Sequence, residues 1–148
     1  MNKPPQNPKS GILYSGMLYR MIFLSLIMAG GTAGLFYWEL QASGLDHART
    51  IAFCTIVGFQ WFNALNSRST QLSVFKIGFF SNRWLMIGIP VAIALQLLVV
   101  YTPSLQDLFH TVPLNASQWG IVIGVSASVW ILEEIRKAVV PHLFDRGK

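Results

Sequence analysis

Residues 84–101 read WLMIGIPVAIALQLLVVY, an uncharged run opened by a tryptophan and closed by a tyrosine. As an α-helix rising 1.5 Å per residue, such a run is ~27 Å long, close to the ~30 Å hydrocarbon thickness of a bilayer. Trp and Tyr favour the water–lipid interfaces, so the pattern is that of a membrane-spanning helix anchored at both ends. Pro90 lies inside it, removes one helical hydrogen bond and predicts a kink.

Outward from this run, the uncharged stretch reaches residue 106, and three others cover residues 21–38, 50–67 and 111–131. In the first, Gly30, Gly31, Ala33 and Gly34 cluster. Small residues let helix backbones approach closely in lipid, so they mark a packing face. The last stretch is the least apolar, because Pro113 and the NASQ run at 115–118 leave its apolar part to residues 119–132. Its helix can continue through EEIRKAVV to Pro141, with Arg136 and Lys137 extending their stems toward the headgroups. Asn115 or Ser117 can cap its start. The expected fold is all-α, a polytopic membrane protein in which a four-transmembrane-helix bundle forms a single domain over residues 1–148, with spans at about 18–38, 49–66, 84–102 and 118–137.

Composition agrees with that reading. Of 148 residues, 53% are hydrophobic and 11% charged, where soluble domains carry roughly 25% charged residues. Such a chain is neither disordered nor an ordinary soluble globule. The net charge of +5 is explained by where the cations lie. Lys3, Lys9 and Arg20 precede the first span, Arg68, Lys76 and Arg83 lie between the second and third, and Arg136, Lys137, Arg146 and Lys148 end the chain. The two opposite loops hold only Arg49. Basic residues accumulate on the cytoplasmic side, so a cell-membrane protein crossing four times with both termini cytoplasmic is expected, and nucleic-acid binding is not needed to explain the charge. The first dozen residues, MNKPPQNPKSGI, are polar and proline-rich, so insertion is expected to use the first span rather than a cleaved leader.

Groups able to do chemistry are sparse. Cys54 is the single cysteine, which excludes an internal disulfide, and its apolar surroundings predict a small buried hydrophobe. The acids Glu39, Asp46, Asp107, Glu133, Glu134 and Asp145 all fall at span ends or in loops, where solvation makes their charge cheap. His47, His110 and His142 are peripheral and lie on both sides of the membrane, so no metal site and no cofactor is expected. No Ser or Cys nucleophile has a base beside it, and no phosphate-cradling glycine loop occurs, so no catalytic residue is assigned. The polar groups within the spans are Gln60, Asn63 and Asn66, spaced three apart on roughly one helical face, and Gln96 deep in the third span. Amides in lipid commonly bind neighbouring helices together. Gln60 can also present a carbonyl oxygen to a hard cation, although a lone neutral amide makes a poor site without carboxylates or carbonyls from elsewhere.

The segments ARTIAFCTIVGFQWFNALNSRS (48–69), FFSNRWLMIGIPVAIALQLLVVYTPSLQDLF (79–109), PLNASQWGIVIG (113–124) and EEIRKAVVP (133–141) closely resemble the last membrane helices of cation-transporting P-type ATPases. The opening MNKPPQNPKSGIL resembles the cytoplasmic stretch before those helices, usually Met-x-Arg-Pro-Pro-Arg, from which Lys3 and Gln6 depart. The resemblance implies that the four spans correspond to helices seven to ten of a ten-helix pump, its C-terminal support bundle. It also implies that Gln60 occupies the position in helix eight where calcium pumps carry an ion-binding carboxylate and sodium pumps a glutamine. Gln60 is therefore the one candidate cation-binding residue.

The family's phosphorylated Asp-Lys-Thr-Gly-Thr motif is absent from these 148 residues, as are the nucleotide-binding and actuator domains. The chain on its own is thus not expected to be an enzyme. The expected role is a transmembrane support part of a cation pump, scaffolding the ion-transport helices, with the lipid bilayer and the remaining portion of the ATPase as partners. The alternative is an independent four-helix membrane protein with a structural or regulatory role and no transport activity. The coding region immediately upstream separates the two.

Overall fold

The computed structural model describes the backbone of residues 15–66 and 83–139 and the side chains of residues 18–66 and 83–136. The cations Lys3, Lys9, Arg68, Lys76, Arg146 and Lys148 lie outside the described residues, as do His142 and Asp145. The described elements are all helices: α1 (Ser15–Ala42), α2 (Leu45–Asn66), α3 (Arg83–Tyr101), α4 (Pro103–Phe109) and α5 (Ala116–Val139). The fold is all-α, as the sequence predicts.

The breaks between helices follow from local chemistry. Gly44, at φ +92°, makes the tight turn between α1 and α2, a conformation that costs glycine little. The uncharged stretch 84–106 is divided between two helices, the first ending at Tyr101, one residue before the expected end of the span. Pro103 disfavours helical backbone at the residue before it, so Thr102 is extended (φ −93°, ψ 119°) and α4 starts afresh. His110 closes α4 in the left-handed region at φ +53°. At the start of α5 the backbone N–H of Gln118 donates to Asn115 Oδ1 at 2.9 Å, and that of Asn115 donates to Gln118 Oε1 at 3.0 Å. Of the two capping candidates, Asn115 does the work, in a reciprocal capping box.

Helix α2 is central, packed along α1 on one side and α5 on the other, and α3 meets it more narrowly. One buried cluster joins Ile51 and Cys54 of α2 to Val100, Leu114 and Val122, and a second joins Leu24, Phe59 and Val129. Cys54 is fully buried there, as its surroundings predict. Two glycines make the close packing possible. A Cβ at Gly58 would come 2.5 Å from Ser126 Oγ, and one at Gly31 would come 2.8 Å from the Phe59 ring. Among the described residues a Cβ at Gly30 or Gly34 would meet no neighbour within 4 Å, so Gly31 is the glycine of that cluster that makes a close helix contact there.

The outer faces are apolar. Leu26, Tyr37, Trp84, Ile87, Leu95 and Leu98 are exposed on α1 and α3. Residues Leu18–Ala42 of α1 and Arg83–Tyr101 of α3 are long and apolar enough to cross a membrane. Helices α2 and α5 have 22 and 24 residues, long enough for ~30 Å, but carry charged residues at their ends.

Candidate functional site

The polar groups along the helices separate into two kinds. Asn66 is fully buried at the end of α2, where its Nδ2 donates to the Val129 carbonyl at 3.2 Å, tying α2 to α5. Gln96 is buried on α3, and its Nε2 donates to Cys54 Sγ at 3.1 Å, tying α3 to α2. Ser126 donates to the Thr55 carbonyl at 3.2 Å across the α2–α5 contact. These are interhelical polar contacts.

Gln60 is different. It is exposed on α2, between the buried Phe59 and the half-buried Trp61, and none of the hydrogen bonds among the described residues involves its side chain. The three-residue spacing suggested one face for Gln60, Asn63 and Asn66, but six residues leave the first and last ~120° apart around a helix. Asn66 accordingly points into the α5 contact, Asn63 is half-buried at its flank, and Gln60 lies outside. Of these three amides it is the exposed one.

Two acids are placed otherwise than the sequence suggested. Glu39 and Glu133 are not solvated at helix ends but buried, at 2% and 0% exposure. Glu39, in the last turn of α1, accepts a hydrogen bond at 2.8 Å from Nε2 of Gln118 on α5. Gln118 thus both caps α5 and clamps it to α1. At the other end of the same helix pair, Glu133 is held by two guanidiniums. Arg20 Nε lies 2.8 Å from Glu133 Oε1, and Arg136 Nε lies 2.9 Å from Oε2. Arg136, expected to reach for the headgroups, instead folds back one turn onto Glu133 and is itself buried. The physical reason is that a buried carboxylate needs charged and hydrogen-bonded partners, and Arg20 of α1 arrives at the same depth. Spacing offered one clue, the Glu133–Arg136 pair at i, i+3; for Glu39 there was none.

A second polar place lies at the far end of α2, where Asp46, Gln106, Asp107, His110 and Thr111 line a cavity of about 370 Å³. Among the described residues no group of three or more His, Cys, Asp or Glu is arranged to hold a metal ion.

Long apolar faces outside and ionic and amide pairs inside are the features of a membrane-helix module. The family model described as "Cation transporting ATPase, C-terminus" matches residues 1–139, and the chain belongs to that family. Over 140 residues it is 38% identical to calcium-transporting ATPase type 2C member 1 of Homo sapiens, covering 94% of this chain and 15% of that protein. It is 35% identical over 139 residues to calcium-transporting ATPase type 2C member 2 of Mus musculus, covering 93% of this chain and 15% of the relative. To probable cation-transporting ATPase F of Mycobacterium bovis it is 29% identical over 133 residues, covering 89% of this chain and again 15% of the relative. The chain thus spans about 15% of the length of these relatives.

Proposed function

We propose that this chain is the transmembrane support part of a cation-transporting P-type ATPase, crossing the bilayer four times with both termini cytoplasmic and scaffolding the helices that carry the ion. The single observation that carries this reading is the family match across residues 1–139. The spans are α1, α2, α3 and α5, at about residues 18–38, 49–66, 84–102 and 118–137. The ten-to-one placement of basic residues supports the orientation.

The mechanism is positional. The clamps Arg20–Glu133 and Glu39–Gln118 fix α1 to α5 at both ends, and α2 is held between them. Gln60 on this fixed scaffold presents its amide oxygen outward to a cation whose other ligands come from the remaining helices. A neutral amide supplies one oxygen and no charge, so carboxylates must come from elsewhere. Calcium is the first cation to test, because relatives carry it in their names, and sodium the second, because the side chain is neutral.

Coexpression with a chain carrying the pump's remaining portion tests the reading. A complex that copurifies in native-like lipid and transports a cation is the expected result. Failure to associate overturns it and leaves an independent four-helix membrane protein.

A further inference from the structure

The seven residues of α4, PSLQDLF, divide by face. Turning about 100° per residue, Leu105, Leu108 and Phe109 fall within roughly 100° of arc, and Ser104, Gln106 and Asp107 take the rest. The polar side has its place: Gln106 and Asp107 join Asp46 and His110 around the cavity of about 370 Å³. The apolar side stays open, with Leu108 70% and Phe109 50% exposed.

How α4 lies follows from the bonds at its ends. It starts after Thr102, directly past the last turn of α3. By residue 111 the chain has returned to that turn, where Thr111 Oγ1 donates to the Val99 carbonyl at 2.9 Å, and the N–H of Val112 donates to Thr50 Oγ1 of α2 at 2.9 Å. Between the two ends, Gln106 Nε2 donates to the Val100 carbonyl at 2.6 Å. Both ends of α4 therefore stand at one level, which lays the helix across the axis of α3 rather than along it. Its depth is set by Phe109, whose ring stacks on that of Phe53 with centroids 6.3 Å apart. Phe53 is four residues inside the expected span 49–66, so it lies ~6 Å from the outer end of that span.

We infer that α4 is an interfacial helix, lying in the plane of the bilayer surface on the side away from the termini, with Leu105, Leu108 and Phe109 among the acyl chains of that leaflet and Asp107 toward water. The inference rests on the proposed function, whose spans bring the end of α3 to that surface. Two observations make lipid the occupant. The open face continues the exposed apolar surface of α3, where Leu95, Leu98 and Tyr101 lead to it. An aromatic stacked ~6 Å inside the span also fits the 5–10 Å to which amphipathic helices sink below the headgroups. Because Gln106, Phe109 and Thr111 fasten this segment to α3 and α2, its seat in the leaflet fixes the height of both helices in the membrane.

The test uses the full chain in lipid nanodiscs, with a diazirine amino acid placed singly at Ile87, Asp107 or Leu108, all exposed, so that the fold is kept. Irradiation should join position 108 to phospholipid as fully as position 87 of α3, and position 107 about tenfold less. Position 108 giving no more lipid adduct than position 107, or joining a second copy of the chain, overturns the inference. So does its joining the second chain when the experiment is repeated on the coexpressed complex. In each of these cases lipid adduct at position 87 leaves the proposed membrane crossing standing, whereas its absence there removes the crossing and the interfacial helix together. In a separate arm, Leu108→Asp should speed hydrogen exchange of the α4 amides by about tenfold in nanodiscs, from a side chain that touches little of the protein. Unchanged exchange also overturns the inference.

Discussion

Arg20 and Glu133 stand 113 positions apart in the chain, yet Nε of the one lies 2.8 Å from Oε1 of the other, and neither side chain is more than 13% exposed. The pair joins the start of α1 to the end of α5. Arg136 takes the second carboxylate oxygen, so two cations share one anion in a dry place. Removing the anion is therefore worse than removing either cation. Glu133→Ala should lower the stability of the chain in lipid nanodiscs by about 3–5 kcal/mol, since it takes from two buried guanidiniums the carboxylate they share. Arg20→Ala should cost less, because Arg136 still neutralises Glu133. Thermal unfolding of both variants checks the order, and equal losses would sink the shared-anion account.

Helix contact through glycine makes a separate prediction. At Gly58 a Cβ would fall 2.5 Å from Ser126 Oγ and 3.0 Å from Ser126 Cβ, so Gly58→Ala must push α2 and α5 apart at a cost of about 1–3 kcal/mol. Trimming the neighbour should restore the fit, so Gly58→Ala with Ser126→Gly should be more stable than Gly58→Ala alone. Gly34 has no neighbour within 4 Å, and Gly34→Ala in the isolated chain should be neutral or gain roughly 0.5–1 kcal/mol from helix propensity. In the assembled pump the same change reads out whether another helix covers that face. Denaturation midpoints of the three variants decide the matter.

How much of this was readable beforehand depended on range. The helices were legible, because each is a local pattern: an uncharged run, interfacial aromatics, a proline or glycine at the break. Asn115 as a cap was legible for the same reason, since its partner Gln118 is three residues away. The third helix, expected over about 84–102, runs Arg83–Tyr101, and the short helix that Pro103 starts after it was not anticipated. Partners distant in sequence were not legible. Nothing local says that Glu39 meets Gln118 or that Arg20 meets Glu133, because depth and facing are decided by how α1 packs on α5. Gln60 was chosen from a family resemblance; its exposure, and its separation from Asn66 around α2, came only with the fold.

That separation predicts opposite behaviour for two amides on one helix. Gln60→Ala removes an exposed side chain without a described hydrogen bond, so the stability of the chain should change by no more than about 0.5 kcal/mol. In the proposed complex with the remaining portion of a pump, cation affinity should fall if Gln60 is a ligand. Asn66→Ala removes the bond to the Val129 carbonyl and should destabilise the bundle by about 0.5–1.5 kcal/mol. Unfolding of the chain alone, set beside cation titration of the complex, separates the two roles. A Gln60→Ala variant that binds cation as before would remove this residue from the ion site.

The cap of α5 offers the most local test. Asn115 Oδ1 accepts from the N–H of Gln118, and Gln118 returns the bond through Oε1 while its Nε2 reaches Glu39 on α1. Asn115→Ala should release the first turn of α5 at a cost of about 1 kcal/mol. Gln118→Leu should cost more, because it removes one capping bond and also strips Glu39, 2% exposed, of the amide that donates to it. Hydrogen exchange distinguishes the two. With Asn115→Ala, faster exchange should be confined to the start of α5, whereas with Gln118→Leu it should extend to the last turn of α1. Exchange that stays confined to α5 in both variants would mean that Gln118 acts as a cap and no more, and the clamp between α1 and α5 would rest on Arg20 and Glu133 alone.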